Sequence, residues 1–168
     1  ANKGRMQAEA GGKIEQCFVA DGILAWLHII NGKVQEAEEI LRSFYEKAEK
    51  EGAEKLLPNI QAFLIRCALY KGEWPEVNRW MEQTADENVE FSIYERFLYI
   101  TKVRVYIQRG KYDQAYNLLV KLQYYADVMK RTYIRIECNL LMAVTLYRMG
   151  NDDWKVVLQK GLAEAEEY

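Results

Sequence analysis

Residues 110–115, Gly-Lys-Tyr-Asp-Gln-Ala, decide the fold of this chain. They join two apolar, helix-like segments, with a glycine where the first segment ends and an alanine in the first turn of the second. Asp113 lies in that first turn, where a carboxylate interacts favourably with the positive end of the helix dipole. The stretch therefore predicts a helix, a tight turn and a second helix that packs back on the first.

Similar turns recur along the chain at nearly constant spacing. Glycines close apolar segments at positions 32, 72, 110 and 150, with gaps of 40, 38 and 40 residues (72 − 32, 110 − 72, 150 − 110). This period is typical of helix-hairpin arrays, in which each unit buries its apolar face against its neighbours. No β alternation persists long enough to compete. We predict an all-α fold, a right-handed superhelix of about four antiparallel helix pairs in one domain over residues 1–168, with units at approximately 13–51, 56–83, 91–128 and 131–168.

The composition supports a buried core and excludes several kinds of protein. Half of the 168 residues are apolar, 29% are charged, and the formal net charge is −2. These values argue against disorder and against an overall attraction to nucleic acid. There is no apolar run of about 20 residues and no signal peptide, so we expect a cytoplasmic protein without a membrane segment. Because the chain starts without methionine and stops within a helical pattern, we expect a fragment of a longer protein.

The sequence contains no group of residues that predicts catalysis, a metal site or a cofactor. Cys17, Cys67 and Cys138 are odd in number and far apart, which predicts reduced, buried thiols rather than disulfides or a zinc site. His28 is the single histidine and has no partner for a metal or a nucleophile nearby in sequence. Acidic pairs such as residues 38–39 point about 100° apart on a helix and are expected to lie on solvated faces or at helix starts. We therefore predict that the chain is not an enzyme.

The turns carry a resemblance to a known family. Residues 110–115 resemble the Gly-x-Tyr-x-x-Ala turn of tetratricopeptide repeats, residues 32–37 keep its glycine and alanine, and residues 72–77 have an aromatic and a small apolar residue in the corresponding positions. In the fourth turn Asp152 and Lys155 take those positions, as if one residue were deleted. The period also exceeds the usual repeat length of about 34. The resemblance implies a tetratricopeptide-like α-solenoid.

Longer phrases in a fixed order resemble the repeat region of large LuxR-type transcriptional regulators of the maltose-activator class. Leu-Leu-Pro at 56–58, Arg66, Gly-Glu-Trp at 72–74 and Asn-Arg-Trp at 78–80 resemble one repeat, and residues 103–115 resemble the next. The resemblance covers roughly residues 14–168. It implies a region, flanked by an ATPase module and a helix-turn-helix, that senses an inducer or a protein partner and controls self-association.

Neither flanking module is recognisable in this chain. It lacks the Gly-x-x-x-x-Gly-Lys-Ser/Thr phosphate loop, so DNA would be bound only through a domain absent from the chain. Two other hypotheses remain open: a tetratricopeptide-like adaptor for protein partners that is unrelated to transcription, and a structural module with an end-to-end stacking surface for oligomers.

The geometry of tetratricopeptide repeats also selects candidate binding residues. In that family the first helix of each pair lines the concave face, with inward side chains at fixed offsets before the turn glycine. Among the residues that these offsets give in this chain, seven are aromatic or arginine residues and form the candidate set: Trp26, Arg66, Tyr70, Phe97, Arg104, Tyr147 and Arg148. Aromatic faces stack on sugar rings or apolar side chains, and guanidinium groups bind carboxylate or phosphate. We predict a groove for a small anionic or sugar-like effector or an acidic peptide. The structural alternative is that Arg66 and Arg104 pair with carboxylates of adjacent helices.

Overall fold

The computed structural model of the chain describes residues 14–84, 86 and 95–168. Within these residues all regular structure is helical, which confirms the predicted all-α class. The helices are α1 (Ile14–Ile30), α2 (Val34–Lys50), α3 (Leu57–Lys71), α4 (Trp74–Gln83), α5 (Arg96–Gln108), α6 (Tyr112–Val128), α7 (Thr132–Arg148) and α8 (Trp154–Glu167), with a short 3-10 helix (Glu54–Leu56) before α3. The predicted start of the third unit, near residue 91, lies outside the described residues.

The chain divides into two compact units, Ala1–Thr84 and Ala85–Tyr168. The division falls in the polar connection of residues 84–90. Unit 1 contains α1 to α4 and unit 2 contains α5 to α8, and within each unit every helix packs against the next. Because the connections between these helices are short, successive helices within a unit run antiparallel.

Six turns share one backbone geometry. A residue in the left-handed conformation lies one or two positions after the helix, at Gly32, Gly52, Gly72, Gly110, Lys130 and Gly150. At each turn the next N–H donates to the carbonyl five residues earlier, as Lys111 N does to Tyr106 O at 2.9 Å. This is the Schellman pattern, in which glycine avoids the Cβ clash of positive φ. The four predicted turns are confirmed. The other two, at Gly52 and Lys130, lie between the paired segments.

The two units repeat one backbone plan at a distance of 78 residues. The left-handed residues of unit 1 lie at 32, 52 and 72 and those of unit 2 at 110, 130 and 150, so each pair differs by 78 (110 − 32, 130 − 52, 150 − 72). Helices α2 and α6 have 17 residues each and start 78 residues apart (112 − 34). Residues 78 apart in the two units are therefore equivalent as far as Gly150.

The turn after α7 differs from the sequence prediction. Helix α8 begins at Trp154, four residues after Gly150, whereas α2, α4 and α6 begin two residues after their glycines. Trp154, not Asp152, therefore takes the aromatic position. Val157 takes the position of Ala115, since both N–H groups donate to the carbonyl four residues earlier. This turn contains two extra residues, so the predicted deletion of one residue is wrong.

Small and aliphatic side chains form the core at the positions that the motif requires. Ala37, Val77 and Ala115, the small residues that follow the glycine turns, are each fully buried (0% exposed). A larger Ala115 side chain would separate the helices on either side of the turn, because cores pack without free volume. In unit 2, Leu119 and Leu122 continue the buried stripe of α6.

The cysteines are free and buried, as predicted. Burial raises the pKa of Cys67 to about 11 and also raises that of Cys138. In the ranges 14–84 and 95–168, no helix is long and apolar enough to cross a membrane. Those same ranges contain no group of three or more metal-ligating side chains.

Candidate functional site

The seven predicted binding residues fall into both units. Trp26, Arg66 and Tyr70 belong to unit 1, and the other four belong to unit 2: Phe97, Arg104, Tyr147 and Arg148.

In unit 1, Arg66 lies inside the protein. Its residue surface is 1% exposed, and its guanidinium carbon lies 5.1 Å from the Phe63 ring centroid and 5.8 Å from that of Trp26. A guanidinium over aromatic faces is stabilised by the ring quadrupoles. Arg66 thus connects α3 to α1 through a buried contact with Trp26. Tyr70, one turn further along α3, is 58% exposed and accessible to a ligand.

A buried carboxylate connects α2 to the end of α3. Glu38 is 7% exposed, accepts a hydrogen bond from Arg42 Nε at 2.8 Å and one from Lys71 Nζ at 2.6 Å. Lys71 also contacts Glu73 at 2.9 Å. The hydrogen bond from Lys71 lowers the pKa of Glu38, and Arg42 lowers it further, although burial acts in the opposite direction. The expectation that Glu38 lies on a solvated face is therefore wrong. Glu38 lies three residues before the buried Leu41 and so shares its helix face, a signal that was available in the sequence.

In unit 2, Arg104 of α5 forms an ion pair with Glu137 of α7. The Nη2 to Oε1 distance is 2.9 Å, and Glu137 is 8% exposed. The sequence alone is compatible with contact of Arg104 either with a ligand or with a carboxylate of an adjacent helix. The structure shows the carboxylate contact, with about a quarter (26%) of the Arg104 side chain still exposed.

The other three residues of unit 2 lie at two ends of its helices. Phe97 is half-buried at the start of α5, with the Arg96 guanidinium 4.8 Å from its ring centroid. Tyr147 and Arg148 are exposed at the end of α7, where the Tyr147 ring packs edge-on against Trp154 at 5.5 Å between centroids. Helices α5 and α7 run in the same direction, and a helix of this length spans roughly 20–25 Å. A single small effector therefore cannot contact Phe97 and Tyr147 together.

A second polar network, which the sequence analysis did not identify, joins three helices of unit 2. Asn139 of α7 is 1% exposed, accepts a hydrogen bond from Gln123 at 2.8 Å and donates to Glu164 at 3.2 Å. Arg135 donates to the same carboxylate oxygen at 3.0 Å. Helix α8 approaches closely at Gly161, where an added Cβ would lie 3.0 Å from Asn139 Cβ. The network holds α6, α7 and α8 in register.

A cavity of about 260 Å³ lies between the start of α5 and the turn from α6 to α7. Its lining includes three cations, Arg96, Lys130 and Arg131, with the aromatic rings of Phe97 and Tyr133. Of these residues, sequence analysis selected Phe97. Offsets counted back from the turn glycines select one helix face and therefore omit residues in the turns themselves.

These features define a protein of antiparallel helical hairpins whose turns follow a tetratricopeptide-like pattern. Residues 1–167 match the family described as the MalT-like TPR region, and the chain belongs to that family. No curated protein and no solved structure gives a significant match. The tetratricopeptide part of the resemblance is thus confirmed, and the chain is a helical repeat region of the MalT type, a fold that is generally non-catalytic.

Proposed function

We propose that this chain is the effector- or partner-sensing repeat region of a LuxR-type transcriptional regulator, and that it controls activation and self-association. The observation that carries the proposal is the match of residues 1–167 to the MalT-like TPR region. The regulator would act in the cytoplasm and bind DNA through a domain outside this chain. An effector would act by binding one conformation or one oligomeric state more tightly than another.

An apolar stripe on α1 supports a role in association. Val19, Ile23, Leu27 and Ile30 follow one another at three- and four-residue intervals and are 47–63% exposed. Residues at this spacing lie on one face of a helix. A contiguous exposed apolar face is typical of interaction surfaces, because it is costly to leave in water.

A second stripe lies on α6, in unit 2. Tyr116, Val120, Tyr124 and Val128 lie at four-residue intervals and are 38–74% exposed. Tyrosine is enriched at protein contacts, since its ring is apolar and its hydroxyl can hydrogen-bond at the edge of an interface. This stripe fits a protein surface better than a small effector.

For the small-effector hypothesis, the accessible residues are those at the helix ends. Tyr70 is 58% and Tyr147 is 61% exposed, and Arg148 is exposed beside Tyr147. An aromatic face next to a guanidinium suits a sugar-like or anionic molecule or an acidic peptide. Arg66 in unit 1 and Arg104 in unit 2 would each hold together two helices of its own unit, through the contacts with Trp26 and with Glu137.

The test combines a ligand screen with a measurement of association. The chain is heated with sugars, phosphorylated sugars, small carboxylates and acidic peptides, since a bound ligand raises the Tm by mass action. Sedimentation velocity then measures self-association with and without each hit. We expect a ligand that raises the Tm to change the sedimentation coefficient as well. A chain that is monomeric at every concentration and responds to no ligand would contradict the proposal.

The α6 stripe favours one alternative function. A tetratricopeptide-like adaptor unrelated to transcription would also expose Tyr116 and Tyr124 to a protein partner. It would bind that partner without a response to small effectors. The sequence that flanks this region in its full-length protein separates the two, because an ATPase module and a helix-turn-helix support the regulator and their absence supports the adaptor.

A further inference from the structure

The cavity of unit 2 brings together positive charge from two helix starts. Arg96 and Phe97 are the first two residues of α5, and Thr132 and Tyr133 are the first two of α7. The N-terminus of a helix carries a partial positive charge. Lys130 and Arg131 of the intervening turn add two cationic side chains to the same cavity.

The three cations of this cavity have no carboxylate partner in the described part of the chain. Over residues 14–84 and 95–168, Arg96, Lys130 and Arg131 take part in no ion pair, although nearby Arg135 contacts both Asp127 and Glu164. Burial lowers the pKa of Arg96, Tyr125 opposes this effect, and the charge of Arg131 lowers the pKa further. An anion in the cavity would relieve the repulsion between these two guanidinium groups.

The residue at the left-handed position distinguishes this turn from the other five. Lys130 is the one residue other than glycine with positive φ (52°) among those described, whereas the other five turns of this kind have glycine. Lysine adopts this conformation at a cost that glycine does not have, so the turn carries a cationic side chain where glycine would fit without strain. At the equivalent positions of unit 1, Lys130 and Arg131 are replaced by Gly52 and Ala53, so the turn itself requires neither cation.

We propose that this cavity binds the phosphate group of a small phosphorylated molecule. Arg96, Lys130 and Arg131 would surround the phosphate oxygens, and Phe97 and Tyr133 would contact the rest of the ligand. A phosphate group suits the site better than a single carboxylate, because its charge approaches −2 and it offers three acceptor oxygens. The volume of about 260 Å³ lies below the roughly 300–1,000 Å³ of pockets for drug-sized ligands, so the ligand is small. The inference does not depend on the proposed function, since an adaptor could hold the same site.

The experiment measures binding by calorimetry at constant ionic strength. The probes are inorganic phosphate, glucose 6-phosphate, glucose, citrate and a short polyglutamate peptide. The test variant combines Lys130→Gly with Arg131→Ala, which gives this turn the residues of unit 1. Both changes keep the turn, because glycine prefers the left-handed conformation and alanine occupies the second position in unit 1. Lys111→Ala is the matched control, since Lys111 also follows a left-handed residue and is exposed outside the cavity.

We expect glucose 6-phosphate to bind and glucose not to bind. Inorganic phosphate should bind as well if the site serves the free ion, and more weakly than the sugar phosphate if the walls contact the sugar. The double variant should weaken binding by about tenfold or more with its Tm unchanged or raised, because charge-assisted hydrogen bonds are lost. Lys111→Ala should bind like the wild type.

Three results would overturn the inference. The first is no binding of either phosphate compound at millimolar concentration. The second is equal binding by wild type and the double variant, which would place the site elsewhere. The third is tighter binding of citrate or polyglutamate than of both phosphates, which would identify a carboxylate or an acidic protein segment as the ligand. None of these results bears on self-association, so the proposed function is tested separately.

Discussion

The two units have the same backbone plan and different chemistry at equivalent positions. Position 52 is glycine and position 130 is lysine in turns of the same left-handed geometry. Glu38 is buried in an ion-pair network on α2, whereas its equivalent on α6, Tyr116, is 38% exposed in an apolar stripe. The turns and the small buried residues therefore maintain the fold, while the remaining positions are free to differ in function.

The first and third helices of each unit show the same contrast. Trp26 and Arg104 are equivalent residues, and each contacts the next-but-one helix of its unit. Trp26 stacks with the Arg66 guanidinium, and Arg104 pairs with the carboxylate of Glu137. The side chain at this equivalent position thus connects the first and third helices of its unit, through a cation–π contact in unit 1 and through an ion pair in unit 2.

The largest expected effect comes from removing Arg66. Because the side chain is 1% exposed and packs on two rings, Arg66→Ala should lower the free energy of unfolding by about 3–5 kcal/mol. Arg66→Met, which keeps most of the volume without the charge, should lower it by less than half as much. Urea unfolding measures both. If Arg66→Ala retains full stability but loses effector binding, Arg66 is a ligand-binding residue as the sequence analysis predicted.

The next effect comes from the close approach of α8 to α7. An added Cβ at Gly161 would lie 3.0 Å from Asn139 Cβ, so Gly161→Val should destabilise the protein by about 2 kcal/mol through overpacking. Gln83, the last residue of α4, is exposed and serves as the control position. Gln83→Val should change the stability by less than about 0.5 kcal/mol. Equal losses of stability for both variants in thermal unfolding would show that the close approach of α8 to α7 does not limit the side chain at position 161.

Glu38 should make the protein sensitive to acid. Its pKa in the folded state is lowered below the usual 4.5, chiefly by Lys71, so its contribution to stability is complete at pH values above 4.5. That contribution is lost as the pH falls through the lower folded pKa. Glu38→Gln should therefore cost about 1–2 kcal/mol at pH 7 and progressively less towards pH 3, as measured by Tm against pH. Glu46→Gln, an exposed change on the same helix, is the control. A difference in Tm between Glu38→Gln and the wild type that stays the same from pH 7 to pH 3 would contradict this account.

Most of the fold could be predicted from the sequence because glycine marks the turns. The helix pairs are predicted by four glycines at a period near 40 and by the small residues that follow them. The turn at Lys130 could not be found in this way, since nothing about lysine signals a positive φ. Counting residues from Gly150 predicts a deletion in this turn, because it assumes that the next helix starts two residues after the glycine. In the structure, α8 starts at Trp154, four residues after Gly150.

The candidate site was less predictable, for two physical reasons. The number of residues between a side chain and the turn glycine indicates the helix face on which the side chain lies. It does not indicate whether a neighbouring helix covers that face, so the burial of Arg66 could not be predicted. The cations of the cavity lie 34 residues apart (130 − 96) and meet because two helix starts come together. Such a meeting depends on tertiary packing, and no local pattern in the sequence encodes it.

The smallest effect tests the comparison most directly, by exchanging residues between equivalent turns. Lys130→Gly relieves a left-handed lysine (φ 52°) and should raise the free energy of unfolding by about 1 kcal/mol. Gly52→Lys introduces the same backbone strain in unit 1 and should lower the free energy of unfolding by a similar amount. A steric clash does not contribute, because an added Cβ at Gly52 would meet nothing within 4 Å. Opposite shifts in the urea midpoint would show that the cost at this turn is purely a backbone cost. If Lys130→Gly instead destabilises the protein, the lysine side chain makes stabilising contacts in the folded state. Lys130 would then have a structural role rather than a role in binding a ligand.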